Sequence, residues 1–120
     1  MPAGTGNERA MTPDDLFRLF VARANAGDLD GLVELYEPDA GAKFMPGQLL
    51  SGQDAIRQAL QHLLADRPTF STDGQRPSTV VGDLALTSAR LGPDDVTAEV
   101  ARRQPDGSWR WVIDVPSFLA

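Results

Sequence analysis

FRLFVARANAGDLDGLVELYEPDA, residues 17–40, decides the fold. Two amphipathic helices share one Asn-Ala-Gly-Asp corner in it, and Pro38 stops the second. The first helix begins just upstream, where Thr12 offers a side-chain cap, Pro13 suits the first turn, and Asp14 and Asp15 sit near the positive end of the dipole. Leu16, Phe17, Phe20, Val21 and Ala24 fall on one stripe at helical spacing, a face that has to be covered. Gly27 ends this helix because it turns left-handed without strain, and Asp28 caps the next. There Leu29, Leu32, Val33 and Tyr36 repeat the stripe. A further start signal, Ser51 with Asp54 three residues on, opens a third helix whose apolar face is Ala55, Ile56, Ala59, Leu60, Leu63 and Leu64. Pro68 closes that segment.

Beyond Pro68 the period changes from helical to alternating. Residues 79–82, 84–91, 96–103 and 109–115 read as strands, and Asp106-Gly107 is a strong hairpin signal. Helices followed by a run of antiparallel strands make an α+β order, with the helices on one face of the sheet. Residues 1–11, with Gly4, Gly6 and Asn7 and almost nothing to bury, read as a flexible leader, and residues 12–120 as one domain. Residues 41–52, apolar and glycine-rich, read as a loop forming the rim or lid of a pocket.

Composition excludes several classes of function. Seventeen acidic against 11 basic residues give a net charge of -6, which repels phosphate backbones and anionic membranes, so neither nucleic acid nor membrane is an expected partner. The absence of a 20-residue apolar span makes the cytoplasm the default location. With one His and no Cys, a zinc site would need mostly carboxylates, and no glycine-rich strand-to-helix turn is present to hold phosphate. No metal and no cofactor are expected. His62, on the third helix, has the intrinsic pKa of a general base but reads better as a helix-flank residue.

Taken in order, NAGDLDGLVELYEPDA, LSGQDAIRQALQHL and DGSWRWVIDVPS resemble the NTF2-like superfamily, in its SnoaL-like and ketosteroid isomerase-like branch, from about Thr12 to Ser117. The resemblance implies a cystatin-like cone: three N-terminal helices packed on a strongly curved, mostly antiparallel sheet, with an apolar pocket at the open end and commonly a dimer. Ketosteroid isomerase itself is excluded, since Phe20 and Phe44 stand at the positions of its tyrosine and aspartate, while its second oxyanion donor matches Glu99. The resemblance places Tyr36, Val112, Asp114 and Pro116 toward the pocket. Asp114, Glu99 and Tyr36 are then the catalytic candidates, Asp114 as base with the other two donating to a ligand oxygen. The ligand-binding candidates are Phe20, Tyr36, Phe44, Met45, Leu60, Val112 and Pro116.

Periodicity opposes part of this picture. Trp109, Trp111, Ile113 and Val115 alternate with Arg110, Val112 and Asp114, so pattern alone turns the tryptophans to the core and Asp114 to water. Both readings hold if the Trp109/Trp111 face is buried in a homodimer. Asp114 could otherwise pair with Arg103 or Arg110 across strands, and of Arg102 and Arg103 only the latter would reach the pocket. A pocket protein holding a small, largely apolar molecule ranks first on this reading. A cofactor-independent acid–base enzyme of isomerase, cyclase or dehydratase type ranks second, and a structural dimerisation module third.

Overall fold

The computed structural model describes residues 8–45 and 47–117, the side chain of Met45 excepted. Helix α1 (Pro13–Asn25) and the single-turn-and-a-half α2 (Leu29–Val33) lead into a hairpin of β1 (Tyr36–Met45) and β2 (Gln48–Ser51). Helix α3 (Gln53–Ala65) follows, then β3 (Gln75–Val81), β4 (Leu84–Gly92), β5 (Asp95–Val96), β6 (Ala98–Arg103) and β7 (Trp109–Val115). The sheet order is β2-β1-β7-β6-β4-β3, with β5 added to β4. Every pair is antiparallel except β1 with β7. Register shifts within five of the six pairings bend this open sheet into a trough around the helices.

The helix signals act as the sequence implies, with two adjustments. Asp15 accepts from the Thr12 N–H at 3.2 Å, while Gly27 takes φ +71° at the corner. Asp28 accepts from the Gly31 N–H at 3.0 Å, and a Cβ on Gly31 would lie 2.2 Å from the Asp28 Oδ2, which explains glycine there. Helix α2 ends at Val33, before Tyr36 and Pro38, and α3 starts from Gly52 at φ +90° rather than from Ser51, which closes β2.

The largest correction concerns residues 36–51, expected as helix end and loop. They form the β1–β2 hairpin, and the signal was present: Ala40, Ala42 and Phe44 turn inward between Asp39, Gly41 and Lys43. Pro38 is accommodated because the β1–β7 ladder skips from Tyr36↔Trp111 to Gly41↔Ile113, so its missing N–H falls in the irregular step.

Leu16, Leu19, Leu32, Tyr36, Ile56 and Leu60 fill the core beneath the sheet. Ala85, Ala89 and Ala101 make the floor of β4 and β6, short enough for α1 to approach. Trp109 and Trp111 also lie in this core, 5% and 2% exposed. That corrects the expectation of a dimer through the Trp109/Trp111 face, because a side chain buried within one chain has no surface left to share. The opposite face carries exposed Leu84, Leu86 and Ile113 instead. Residues 8–11, expected as part of a loose leader, are docked: Ala10 is buried, its carbonyl accepts from the Trp109 N–H at 2.7 Å, and Arg9 pairs with Asp106. Residues 1–7 lie outside the described part. No helix among the described residues is long and apolar enough to cross a membrane.

Candidate functional site

The trough leaves a cavity of about 650 Å³ between its concave face, α1 and α3. Helix α1 contributes Phe17 and Phe20, and α3 contributes Ala55, Ala59 and His62. Phe20 meets Phe70 edge-on at 5.8 Å and Trp111 at 6.0 Å, so three rings form one continuous wall.

On the sheet side, Glu99 and Asp114 are directly opposed residues of β6 and β7, each 6% exposed and both bordering the cavity. Directly opposed side chains start roughly 5 Å apart. Asp114 faces inward although Trp111 does too, because the β6–β7 register passes from Val100↔Ile113 to Ala101↔Trp111 and leaves Val112 as an extra, unpaired residue. A bulge of this kind resets the alternation of a strand. Periodicity and family resemblance are thereby reconciled within one chain, without a partner.

Burial, and after it the charge of Glu99, pushes the Asp114 carboxyl up from its ordinary value to about 7, against a hydrogen bond from the Tyr36 hydroxyl at 2.6 Å. Glu99 is also raised, first by burial, while hydrogen bonds from Thr97 and Thr87 oppose the shift. The Thr87 hydroxyl donates at 2.7 Å and itself accepts from the Trp111 indole N–H at 3.2 Å. Tyr36 is fully buried, and desolvation followed by the Asp114 and Glu99 charges holds its hydroxyl protonated well above the usual range.

Phe20, Phe44, Pro116, Glu99 and Asp114 border the cavity as the resemblance implies. Tyr36 does not: it lies behind Asp114, so it orients that carboxyl rather than donating to a ligand. Leu60 is fully buried in the core, and Val112 is the bulge residue, so neither contacts the cavity. The Met45 side chain lies outside the described residues. The alternative pairing of Asp114 with Arg103 or Arg110 is not formed. Arg103 instead lies over the Trp109 ring at 5.3 Å and bridges to Asp83 at 3.5 Å, half exposed to solvent. Thr87, Thr97 and Phe70 escaped the sequence reading. For Thr97 a signal existed, since it stands two residues before Glu99 and therefore on the same strand face.

Helices packed on a curved, open mixed sheet over a cavity with buried carboxyls define an NTF2-like protein of cystatin-like fold. The SnoaL-like domain model matches residues 17–117, and the chain belongs to that family. Among solved structures it is similar to one named provisionally as a dehydratase of the NTF2-like family from Streptomyces avermitilis, at 21% identity over 87% of this chain and 96% of that one, with a TM-score of 0.64. It is also similar to an NTF2-like protein with a cystatin-like fold from Novosphingobium aromaticivorans, at 24% identity over 85% and 76% and a TM-score of 0.63. A third, from Thiobacillus denitrificans and named provisionally as a calcium/calmodulin-dependent protein kinase type II association domain, has 18% identity over 92% and 98% and a TM-score of 0.72. These likenesses show the fold. A comparison with curated proteins gave no match.

Proposed function

We propose that the protein is a cofactor-independent acid–base enzyme that takes a small, largely apolar molecule into the cavity and moves a proton with Asp114. The observation that carries this reading is the pair of buried carboxyls on opposed positions of β6 and β7, both bordering an aromatic-walled void. A proton carrier works best when its pKa lies near the working pH, and Asp114 at about 7 meets that condition. Tyr36 holds one carboxyl oxygen, which leaves the other for the ligand. In the step, a substrate C–H bond breaks, its electron pair moves into a neighbouring carbonyl, and the proton passes to the Asp114 carboxylate. Returning the proton at another carbon gives isomerisation, and expelling a β-hydroxyl, which the same proton converts to water, gives dehydration. The wall of Phe20, Phe70 and Trp111 offers apolar surface to the body of the substrate.

A binding protein without turnover is the second reading, favoured by the apolar character of that wall. Deuterium uptake from heavy water into a ligand found by thermal-shift screening separates the two. Asp114→Asn is expected to lower the exchange rate by roughly 10²–10⁴-fold. Exchange at the wild-type rate in that variant ends the acid–base reading.

We also infer a homodimer, now through the outer face of β4 and β7, where exposed Leu84, Leu86 and Ile113 cluster. Light scattering of the wild type and of Leu86→Lys should give a dimer and a monomer; a monomeric wild type at tens of micromolar removes this inference.

A further inference from the structure

Two buried carboxyls face the cavity, yet no Lys or Arg among the described residues stands beside them. All 11 Lys and Arg residues lie in the described part, and none of them borders the cavity. Arg102 is bound to Glu37, Arg103 to Asp83 and Arg57 to Asp30, each of these arginines half exposed to solvent. A third carboxyl, Asp95, lies on the same lining.

The hydrogen bonds decide which member of the pair is the anion. An indole N–H can only donate, so the Thr87 oxygen accepts from Trp111 and must spend its own hydrogen on Glu99. Thr97 repeats the device, for its oxygen accepts the Ala89 backbone N–H at 2.9 Å and its hydrogen is left for Glu99. Two hydroxyls whose direction is set from behind make Glu99 a fixed acceptor, which favours its ionised form. Asp114 then holds the proton of the pair. The result is a negative charge, 6% exposed, with hydroxyl partners and no Lys or Arg counter-ion among the described residues, facing a void walled by the rings of Phe20, Phe70 and Trp111. Buried charges are ordinarily paired, and the faces of aromatic rings attract cations.

We propose that the molecule this cavity accepts is a hydrophobic amine in its ammonium form, with Glu99 as the counter-ion and the aromatic wall around its apolar body. The inference rests on the acid–base reading for the location of the site and adds the charge of the substrate. An ammonium group gains a charge-assisted hydrogen bond and cation–π contact there, a neutral analogue gains only apolar burial, and a carboxylate of the same shape meets like charge in a low-dielectric space. A bound cation also draws the proton from Asp114, so arrival of the substrate would convert that residue into the base the proposed reaction needs.

Three probes of one shape test the charge: 2-naphthylmethylamine, 2-naphthylmethanol and 2-naphthoate, titrated calorimetrically into wild type, Glu99→Gln and Thr87→Val at pH 8 and pH 5.5. The titratable groups facing the site are His62 from α3, Asp95 from β5, Glu99 from β6 and Asp114 from β7, with Tyr36 from β1 behind Asp114, while α1 presents only phenyl rings. The same titrations on His62→Gln therefore isolate the carboxyls. Wild type is expected to bind the amine at least tenfold more tightly than the alcohol, and the naphthoate at least tenfold more weakly. The amine's advantage should shrink at pH 5.5, where protons compete for the pair, and should vanish in Glu99→Gln. Thr87→Val, which loosens Glu99 without removing it, should reduce it partly. An alcohol bound as tightly as the amine overturns the charge assignment while leaving the cavity as the site. Failure of all three to bind folded wild type overturns both.

Discussion

Strand β7 divides at Val112 into two halves of equal depth and opposite character. Trp109 at 5% exposure and Asp114 at 6% sit on the same concave face, one among apolar side chains and the other against a second carboxyl. Burial of the first stabilises the fold, whereas burial of the second raises the free energy of its charged form. The single extra residue between them lets one strand hold odd-numbered packing residues inward and then an even-numbered carboxyl. Alternation is therefore a reliable guide within each half and misleads across the join. The difference teaches that the bulge is what places the chemistry, since an unbroken ladder would send Asp114 to solvent.

The largest effect is expected in the packing half. Trp109→Ala removes a buried indole and the ring beneath Arg103, and should destabilise the fold by about 3–5 kcal/mol. Chemical denaturation measures the loss. If the two halves are as distinct as their environments imply, the Asp114 carboxyl of the folded fraction still titrates near its wild-type value. A variant that shifts both stability and titration would show the halves to be one unit.

In the carboxyl half the sign reverses. The folded state holds the Asp114 proton up to about pH 7, whereas the unfolded chain releases it near 3.8. Between those values the folded state binds more protons, so wild-type stability declines as pH climbs through the window and levels off above it. Asp114→Asn removes this decline and keeps an oxygen for the Tyr36 hydroxyl. The variant should thus be more stable than wild type at pH 8, by as much as a few kcal/mol, and close to it at pH 4. Thermal denaturation across that range checks the expectation, and a variant weaker than wild type at pH 8 would mean that Asp114 is not a strained carboxyl. Stabilisation combined with lost turnover is what separates a residue kept for chemistry from one kept for packing.

How much of this could be read from the chain follows from where the information is local. The corner at Gly27 and Asp28 and the hairpin at Asp106-Gly107 are set by residues within a few positions, and both are found as read. The three helices and the α+β order follow from their stripes. Strand β1 was hidden by Pro38 and Gly41, turn residues by type, although Ala40, Ala42 and Phe44 carried the period of a strand. The bulge at Val112 has no mark in the sequence, because it is defined by the partner strand's register rather than by the residue itself. The resemblance turns Tyr36 toward the pocket as a donor to a ligand, whereas its hydroxyl is bound to Asp114 behind the cavity, since which of two neighbouring side chains lies behind the other is decided by packing from α3 and the sheet together. Thr87 shows the same limit, being 12 residues from Glu99 in sequence and hydrogen-bonded to it in space.

The smallest expected effect probes what stands behind the carboxyl. Tyr36→Phe keeps the ring against Trp111, whose centroid lies 5.4 Å away, and deletes only the hydroxyl that donates to Asp114. That bond lowers the pKa of Asp114, so its loss should raise the titration above about 7, by roughly one unit for a bond worth about 1 kcal/mol. The bond is stronger to an ionised acceptor than to a neutral one. The variant should therefore lose more stability at pH 8, where Asp114 is charged, than at pH 5, where it carries its proton. Carbon-detected titration of the Asp114 carboxyl and denaturation at the two pH values read both consequences independently. A titration that stays put or moves down would mean that Tyr36 is core filling beside the site, and Asp114 would then owe its poise to burial and Glu99 alone.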